Sequence, residues 1–412
     1  MKKKQSSVLY ITYDGLLDPL GSSQILPYLD GIAAHPRSIH ILSFEKPERM
    51  QAGVNTLKAK LKNKNIAWTP LTFTRNFGFS GKLYDLFRMY YVGFWVAITE
   101  KLKIVHARGH ASAQVGLFLK RWLGLKLIFD FRGLWVDERV DKGGWNLNKP
   151  FHRWQYRYYK RVEHDLLQQA DQIVVLTEAV IDEAIRLGTQ SKSKITVIPC
   201  CADFDHFALT DQDERLAART KLGIGKDTFV LGYLGSVGGM YMTDRFFRLV
   251  TFASMVIPDL HIFALTPDEE RFKSEMQTYL PARQHRFVHV QSATRNEVAK
   301  LLPSIDLLVS FIKPSYARMS TSPTKLAESF AAGIPVICNY GVGDVTVLVS
   351  ELDAGVVIDA DSDDALFEVA NTLPSLALKG GYRLRNLARK KLGLEVAAFH
   401  YNNVYRKLDA VC

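Results

Sequence analysis

Short β-branched runs alternate with longer helix-patterned stretches along this chain, and the alternation begins twice. In the first half the runs are residues 8–13, 39–44, 104–107, 126–131, 173–177 and 195–199. In the second half they are 229–236, 261–265, 287–290, 307–311, 336–338 and 356–358. Alternation of this kind calls for a parallel sheet with helices on both faces. A chain of 412 residues has room for two such cores. The expected architecture is α/β, with two doubly wound, Rossmann-like domains facing across a cleft. The expected division is a first domain over 1–207, a polar, charge-rich linker over 208–226, and a second domain over 227–393. The last helical pattern, 394–412, has no strand after it and is expected to pack back on the first domain. Ligands of doubly wound sheets bind beyond the carboxyl ends of the strands. Two sheets therefore suggest two ligands brought together.

The densest chemical signal is Ser322-Pro323-Thr324-Lys325-Leu326-Ala327-Glu328. Ser322 suits an N-cap and Pro323 suits the first helical position. A self-closing capping box would place Glu or Gln three residues after the cap, where Lys325 stands instead. The first turn thus combines free N–H groups, a positive dipole end and an ammonium group, a combination that suits a phosphate. Glu328 follows on the same face and can accept hydrogen bonds from paired hydroxyls, such as those of a ribose. An ordinary capped helix with a surface ion pair is the competing reading.

Charge narrows the partners. The net charge of +11 is uneven: residues 1–200 hold 30 basic and 17 acidic side chains, and residues 201–412 hold 23 and 25. A basic half points to an anionic partner, either a membrane surface or a phosphorylated substrate. No zinc-finger spacing, RNA-binding aromatic signature or basic zipper accompanies it, which argues against nucleic acid. The apolar run after the basic N-terminus, residues 8–11, is too short for a signal peptide. The most lipid-like stretch, 89–98, falls short of the ~20 residues that span a bilayer. A cytoplasmic chain, peripheral on the inner face of the membrane, is expected. Cys200, Cys201, Cys338 and Cys412 lack metal-ligand spacing and read as reduced thiols.

Four other segments carry weaker signals. Gly21-Ser22-Ser23-Gln24 lies in a turn between the first strand and a helix, where small residues let a substrate approach the backbone. Asp130 and Arg132 alternate to one face at the carboxyl end of a strand; they either face the cleft or satisfy each other. Asp137 and Glu138 nearby are expected to be solvated. Gly235, Ser236 and the glycines up to Tyr241 follow the first strand of the second half, without the spacing of a dinucleotide fingerprint. Tyr241 either stacks on a ring or packs. Between 145 and 161, Phe151, Trp154 and Tyr158 recur at helical spacing beside Arg153, Arg157, Lys160 and Arg161. That aromatic stripe is expected to be mostly core. His106 and His110 are not spaced as metal ligands, and no metal site is expected.

Taken in order, these pieces resemble the GT-B glycosyltransferases, and more narrowly glycosyltransferase family 4. The resemblance runs along nearly the whole chain: Gly21–Gln24, residues 130–135, 170–177, 198–203 with Phe207, 232–236, and Pro323-Thr324-Lys325 through Glu328. It implies that the first domain holds an acceptor through Gly21, Ser22, Ser23, Gln24 and Arg132. It implies that the second binds a nucleotide-diphospho-sugar through Gly235, Ser236, Tyr241, Ser322, Thr324, Lys325 and Glu328. Lys325 would meet the diphosphate, and Glu328, the second Glu of the family's E-x7-E motif, the ribose. Asp130 takes the place of a residue near the reacting sugar, and with Lys325 it is the implied catalytic group. Family members usually retain configuration and use neither metal nor cofactor.

Two departures stand out. Ser320 occupies the place of the first Glu of E-x7-E, and Ser236 stands about where an Arg is usual, with Arg318 as a substitute for that charge. A related subgroup uses the P-T-K-x-x-E form, which favours an active enzyme. The implied function is transfer of a sugar to a lipid-linked or cell-surface glycan acceptor. A non-catalytic binding subunit and a nucleotide-sugar epimerase of the same architecture are the alternatives.

Overall fold

The computed structural model describes residues 7–33, 37–74, 78–209 and 212–410, so the basic residues 1–6 and Cys412 lie outside the described residues. The chain divides into two compact units, residues 1–199 with 394–412, and residues 200–393. Each is built on one parallel sheet.

The first unit holds β1 (Val8–Thr12), β2 (Ile39–Glu45), β3 (Ile66–Thr72), β4 (Ile104–Arg108), β5 (Lys126–Asp130), β6 (Gln172–Val175) and β7 (Ile195–Val197), in the order β3-β2-β1-β4-β5-β6-β7. β3 is absent from the runs expected above, because Pro70 interrupts its pattern. A proline cannot donate to the ladder, and β3 accordingly takes the sheet edge. The second unit holds β8 (Val230–Leu234), β9 (His261–Leu265), β10 (Val288–Gln291), β11 (Leu307–Ser310), β12 (Val336–Asn339) and β13 (Gly355–Ile358), in the order β10-β9-β8-β11-β12-β13. Its strands are apolar on both faces: Leu231 and Leu307 pack into one core layer, Val230 and Leu308 into the other. The strand order reverses between β1 and β4 in the first unit and between β8 and β11 in the second. Those reversals are the switch points at which such sheets bind ligands.

The boundary differs from the one expected. Residues 200–207 belong to the second unit: the Ala202 N–H donates to the Leu392 carbonyl at 2.9 Å, and Phe204 and Phe207 enter that unit's core. The expected linker contains the helix Gln212–Lys221, whose Arg215 and Arg219 both bond Asp306, at 2.5 and 2.7 Å. Arg219 is 2% exposed, so charges that read as a solvated linker are the helix's anchor.

The last helix, Leu394–Asp409, belongs to the first unit. It buries Tyr401, Val404, Tyr405 and Leu408 and packs on the helix Leu26–Ala33. Gly31 permits that approach, since a Cβ there would lie 2.7 Å from the Ala398 Cβ. Arg37 closes the contact with an ion pair to Asp409 at 2.6 Å. Among the described residues, no helix is long and apolar enough to cross a membrane.

Candidate functional site

In the second unit the switch point gathers the residues that the motif singled out. The loop after β8 turns through Gly235, Gly238 and Gly239, at φ of +113°, +74° and +63°, which suit glycine. The helix Thr324–Ala331 begins beside it, with no side chain capping its N-terminus. Lys325, in its first turn, is 8% exposed. Its Nζ sits 4.0 Å from the Tyr241 ring centroid, and a Cβ on Gly235 would lie 3.4 Å from it. The Tyr241 ring therefore packs on a cation. Among the described residues, neither the Lys325 ammonium nor the Glu328 carboxylate has a hydrogen-bond or ion-pair partner.

Burial without a partner disfavours charge on both groups. It pushes the Lys325 ammonium down to about 7, against the pull of Cys338 and Glu328. It pushes the Glu328 carboxyl up to about 7, against Arg295 and Lys325. The Cys338 thiol, buried behind Lys325, is raised to about 12. A buried cation with no counter-ion, set between a glycine loop and free helix N–H groups, is prepared for an anion.

The other expected donor residues divide. Thr324 opens the helix. Ser322 is not its cap: the cap position falls one residue later, at Pro323, and the Ser322 Oγ accepts the Cys200 N–H at 3.1 Å. Ser236 is exposed, and its carbonyl accepts the Tyr233 hydroxyl at 2.6 Å. Arg318 is buried, with Nη1 3.1 Å from Met240 Sδ, so it reaches the glycine loop's flank. Ser320 is buried and donates to the Ala317 carbonyl at 2.8 Å. The three described cysteines are buried and form no disulfide.

In the first unit, Asp130 is 1% exposed at the end of β5. Its carboxylate accepts the Tyr401 hydroxyl at 3.2 Å and lies 3.6–3.7 Å from Arg132, Arg108 and His106. Burial alone would raise this carboxyl; Arg132, His106 and Arg108 outweigh it and hold the group well below the usual carboxylate range. His106 also meets the Tyr405 hydroxyl at 2.6 Å. Asp130 thus anchors the C-terminal helix, and Arg132 is the more accessible member of the pair.

The first glycine loop is not the open backbone expected. Gly21 lies in the helix Pro19–Gln24, and a Cβ there would lie 2.1 Å from the Gly15 carbonyl, so the glycine serves close packing. Ser22 and Ser23 both donate to the Pro19 carbonyl, and Gln24 is buried against Tyr28. The N–H groups of Leu16 and Leu17 are taken by the buried Glu45 carboxylate, at 2.8 and 3.1 Å. Two further expectations are corrected. Asp137 is buried, bonded to Tyr156 at 2.8 Å and Lys160 at 2.9 Å, because Lys160 folds back between it and Glu163. Phe151, Trp154 and Tyr158 face solvent, because their helix packs through Glu163, Leu166 and Leu167.

Residues 43–201 match the family model described as "Glycosyl transferase 4-like domain". The structure of Anabaena HepE in complex with UDP-glucose superposes with a TM-score of 0.68, covering 98% of this chain and 100% of that one, at 14% identity. The fold is GT-B. A D-inositol 3-phosphate glycosyltransferase of Mycobacterium sp. (strain KMS) is 24% identical over 241 residues, 55% of this chain and 49% of its own length. The putative teichuronic acid biosynthesis glycosyltransferase TuaH of Bacillus subtilis (strain 168) is 24% identical over 212 residues, 52% and 50%. The chain spans about half the length of the curated relatives it matches.

Within the GT-B frame, three groups at the sheet ends lack a sequence signal. Glu45 closes the first loop, Tyr401 arrives from the far end of the chain, and Arg271 lays its guanidinium over Gly238, where a Cβ would lie 1.9 Å from Nη2. No pattern marks them: Glu45 ends a strand that already carries His40 and Ser43, and Arg271 and Tyr401 sit within helices. Among the described residues, no group of three His, Cys, Asp or Glu side chains could hold a metal ion.

Proposed function

We propose that the chain is a glycosyltransferase that moves a sugar, with retention of configuration and without a metal ion, from a nucleoside-diphospho-sugar to a lipid-linked or cell-surface glycan acceptor. The observation that carries this reading is Lys325: buried, unpaired, and set against the glycine loop at the switch point of the second sheet. The leaving group of such a transfer is a nucleoside diphosphate, whose negative charge grows as the sugar bond breaks. A preorganised ammonium and free helix N–H groups stabilise that growing charge. Diphosphate binding also supplies the counter-ion that Lys325 lacks, which keeps it protonated. Glu328, one turn along, is placed to accept from ribose hydroxyls as a carboxylate.

HepE is named with UDP-glucose bound, which supports a nucleoside-diphospho-sugar donor. The relatives include a D-inositol 3-phosphate glycosyltransferase and a putative teichuronic acid biosynthesis glycosyltransferase, which supports an anionic or surface-glycan acceptor. Asp130 acts here by positioning: its carboxylate is covered, and Arg132 beside it is the group offered to an acceptor. Ser320 favours a second reading, a subunit that binds without turnover, since its hydroxyl is spent on Ala317 and no carboxylate stands there. Incubation with UDP- and GDP-sugars, with nucleotide release measured, decides between them. Release that requires Lys325 supports transfer; binding without release supports the second reading; no binding to any nucleoside diphosphate overturns both.

A further inference from the structure

The helix Gly78–Thr99 is apolar on its outward face as well as its inward one. Met89 and Ala97 lie on its buried stripe with Asp85. Phe87, Tyr91 and Trp95, one turn apart on the opposite side, are 64%, 58% and 50% exposed. A helix apolar all round is ordinarily covered on every side. The helix Pro150–Gln169 extends the surface: Phe151, Trp154 and Tyr158 are exposed and stacked in sequence, at centroid distances of 6.0 and 5.9 Å. Both helices pack on the helix Gly109–Leu123.

Arg153, Arg157 and Arg161 form a second row along the Pro150–Gln169 helix, beside the aromatics. All three are exposed, and among the described residues none has an ion-pair partner. Two of the carboxylates that these helices carry are turned inward: Asp85 accepts the Thr74 N–H, and Glu163 meets His110 and Lys160; Asp165, one turn beyond Arg161, is half-buried and leaves the row with a net positive charge. We propose that this face of the first unit seats on an anionic lipid bilayer, with the aromatic rows at the headgroup boundary and the arginines on lipid phosphates. Tyr and Trp favour that boundary, and unpaired basic groups are drawn to an anionic leaflet. A second copy of the chain fits less well, because it would bring another net-positive row against this one and no anionic surface.

Flotation of the full chain with phosphatidylcholine vesicles, with and without phosphatidylglycerol, tests the proposal. The chain is expected to float with the anionic vesicles, less so in high salt, and weakly with neutral ones. The triple variant Arg153→Glu, Arg157→Glu, Arg161→Glu is expected to bind roughly a hundredfold less tightly. The variant Phe87→Ser, Tyr91→Ser, Trp95→Ser is expected to lose binding at low salt while keeping its melting temperature, because those side chains are exposed. A wild-type chain that never floats, or variants that float as it does, would overturn the proposal. So would a dimer, seen by light scattering, that the serine variant splits. Nucleotide binding measured without lipid is independent of all these outcomes.

Discussion

At the scale of the residue, burial sets Lys325 and Glu328 against their own charges, and the proposed diphosphate would relieve the lysine. The lysine's folded value of about 7 lies below its unfolded 10.5. Between those values the unfolded chain binds more protons, so stability rises with pH across that window. Glu328 behaves oppositely, with a folded value of about 7 above its ordinary 4.5, so its contribution falls as pH rises between them. Lys325→Met is therefore expected to raise the melting temperature of the ligand-free chain at neutral pH, with the gain shrinking as pH approaches 10.5. A melting series against pH for both proteins checks this; a pH-independent gain would mean that Lys325 is not strained. In the sequence Lys325 stands out at the place where a capping carboxylate belongs, but the helix caps at Pro323 and puts Leu326 there; what the residues do make legible is a lysine in the first turn with Glu328 one turn on. The fate of Ser322 was not legible, because its partner, the Cys200 N–H, comes from a distant segment.

At the scale of the element, alternating apolar runs were enough to read parallel sheets, and twelve of the thirteen strands among the described residues fall on or against those runs. β3 escaped because Pro70 breaks its pattern, and the helix Gln212–Lys221 because its anchoring arginines look like surface charge. The aromatic row of Pro150–Gln169 was misplaced for a related reason: periodicity identifies a face but not what covers it. The packing of Leu394–Asp409 on Leu26–Ala33 rests on the absence of a side chain at Gly31. Gly31→Val is expected to push these helices apart and destabilise the first unit by about 1–3 kcal/mol, the usual range for overpacking. Denaturant unfolding measures it, and an unchanged midpoint would show that the contact yields freely.

At the scale of the whole molecule, one order of secondary structure is used twice, and the two switch points are equipped differently. In the first unit the carboxylate at the sheet end is buried under an arginine pair and the last helix; in the second a lone ammonium waits without a partner. The residues proposed to bind the diphosphate lie wholly within residues 200–393, a continuous stretch with its own sheet and core. That segment, expressed alone, is expected to fold and bind nucleoside diphosphates, as circular dichroism and titration would show. The central claim is tested most directly by calorimetric titration of the full chain with UDP and GDP near neutral pH, wild type beside Lys325→Ala. The expected result is binding of at least one nucleotide, weakened by about 2–3 kcal/mol in the variant, the scale of a lost hydrogen bond to a charged group. Equal affinity in the two proteins, or no binding in either, would contradict the assignment of Lys325 to the diphosphate.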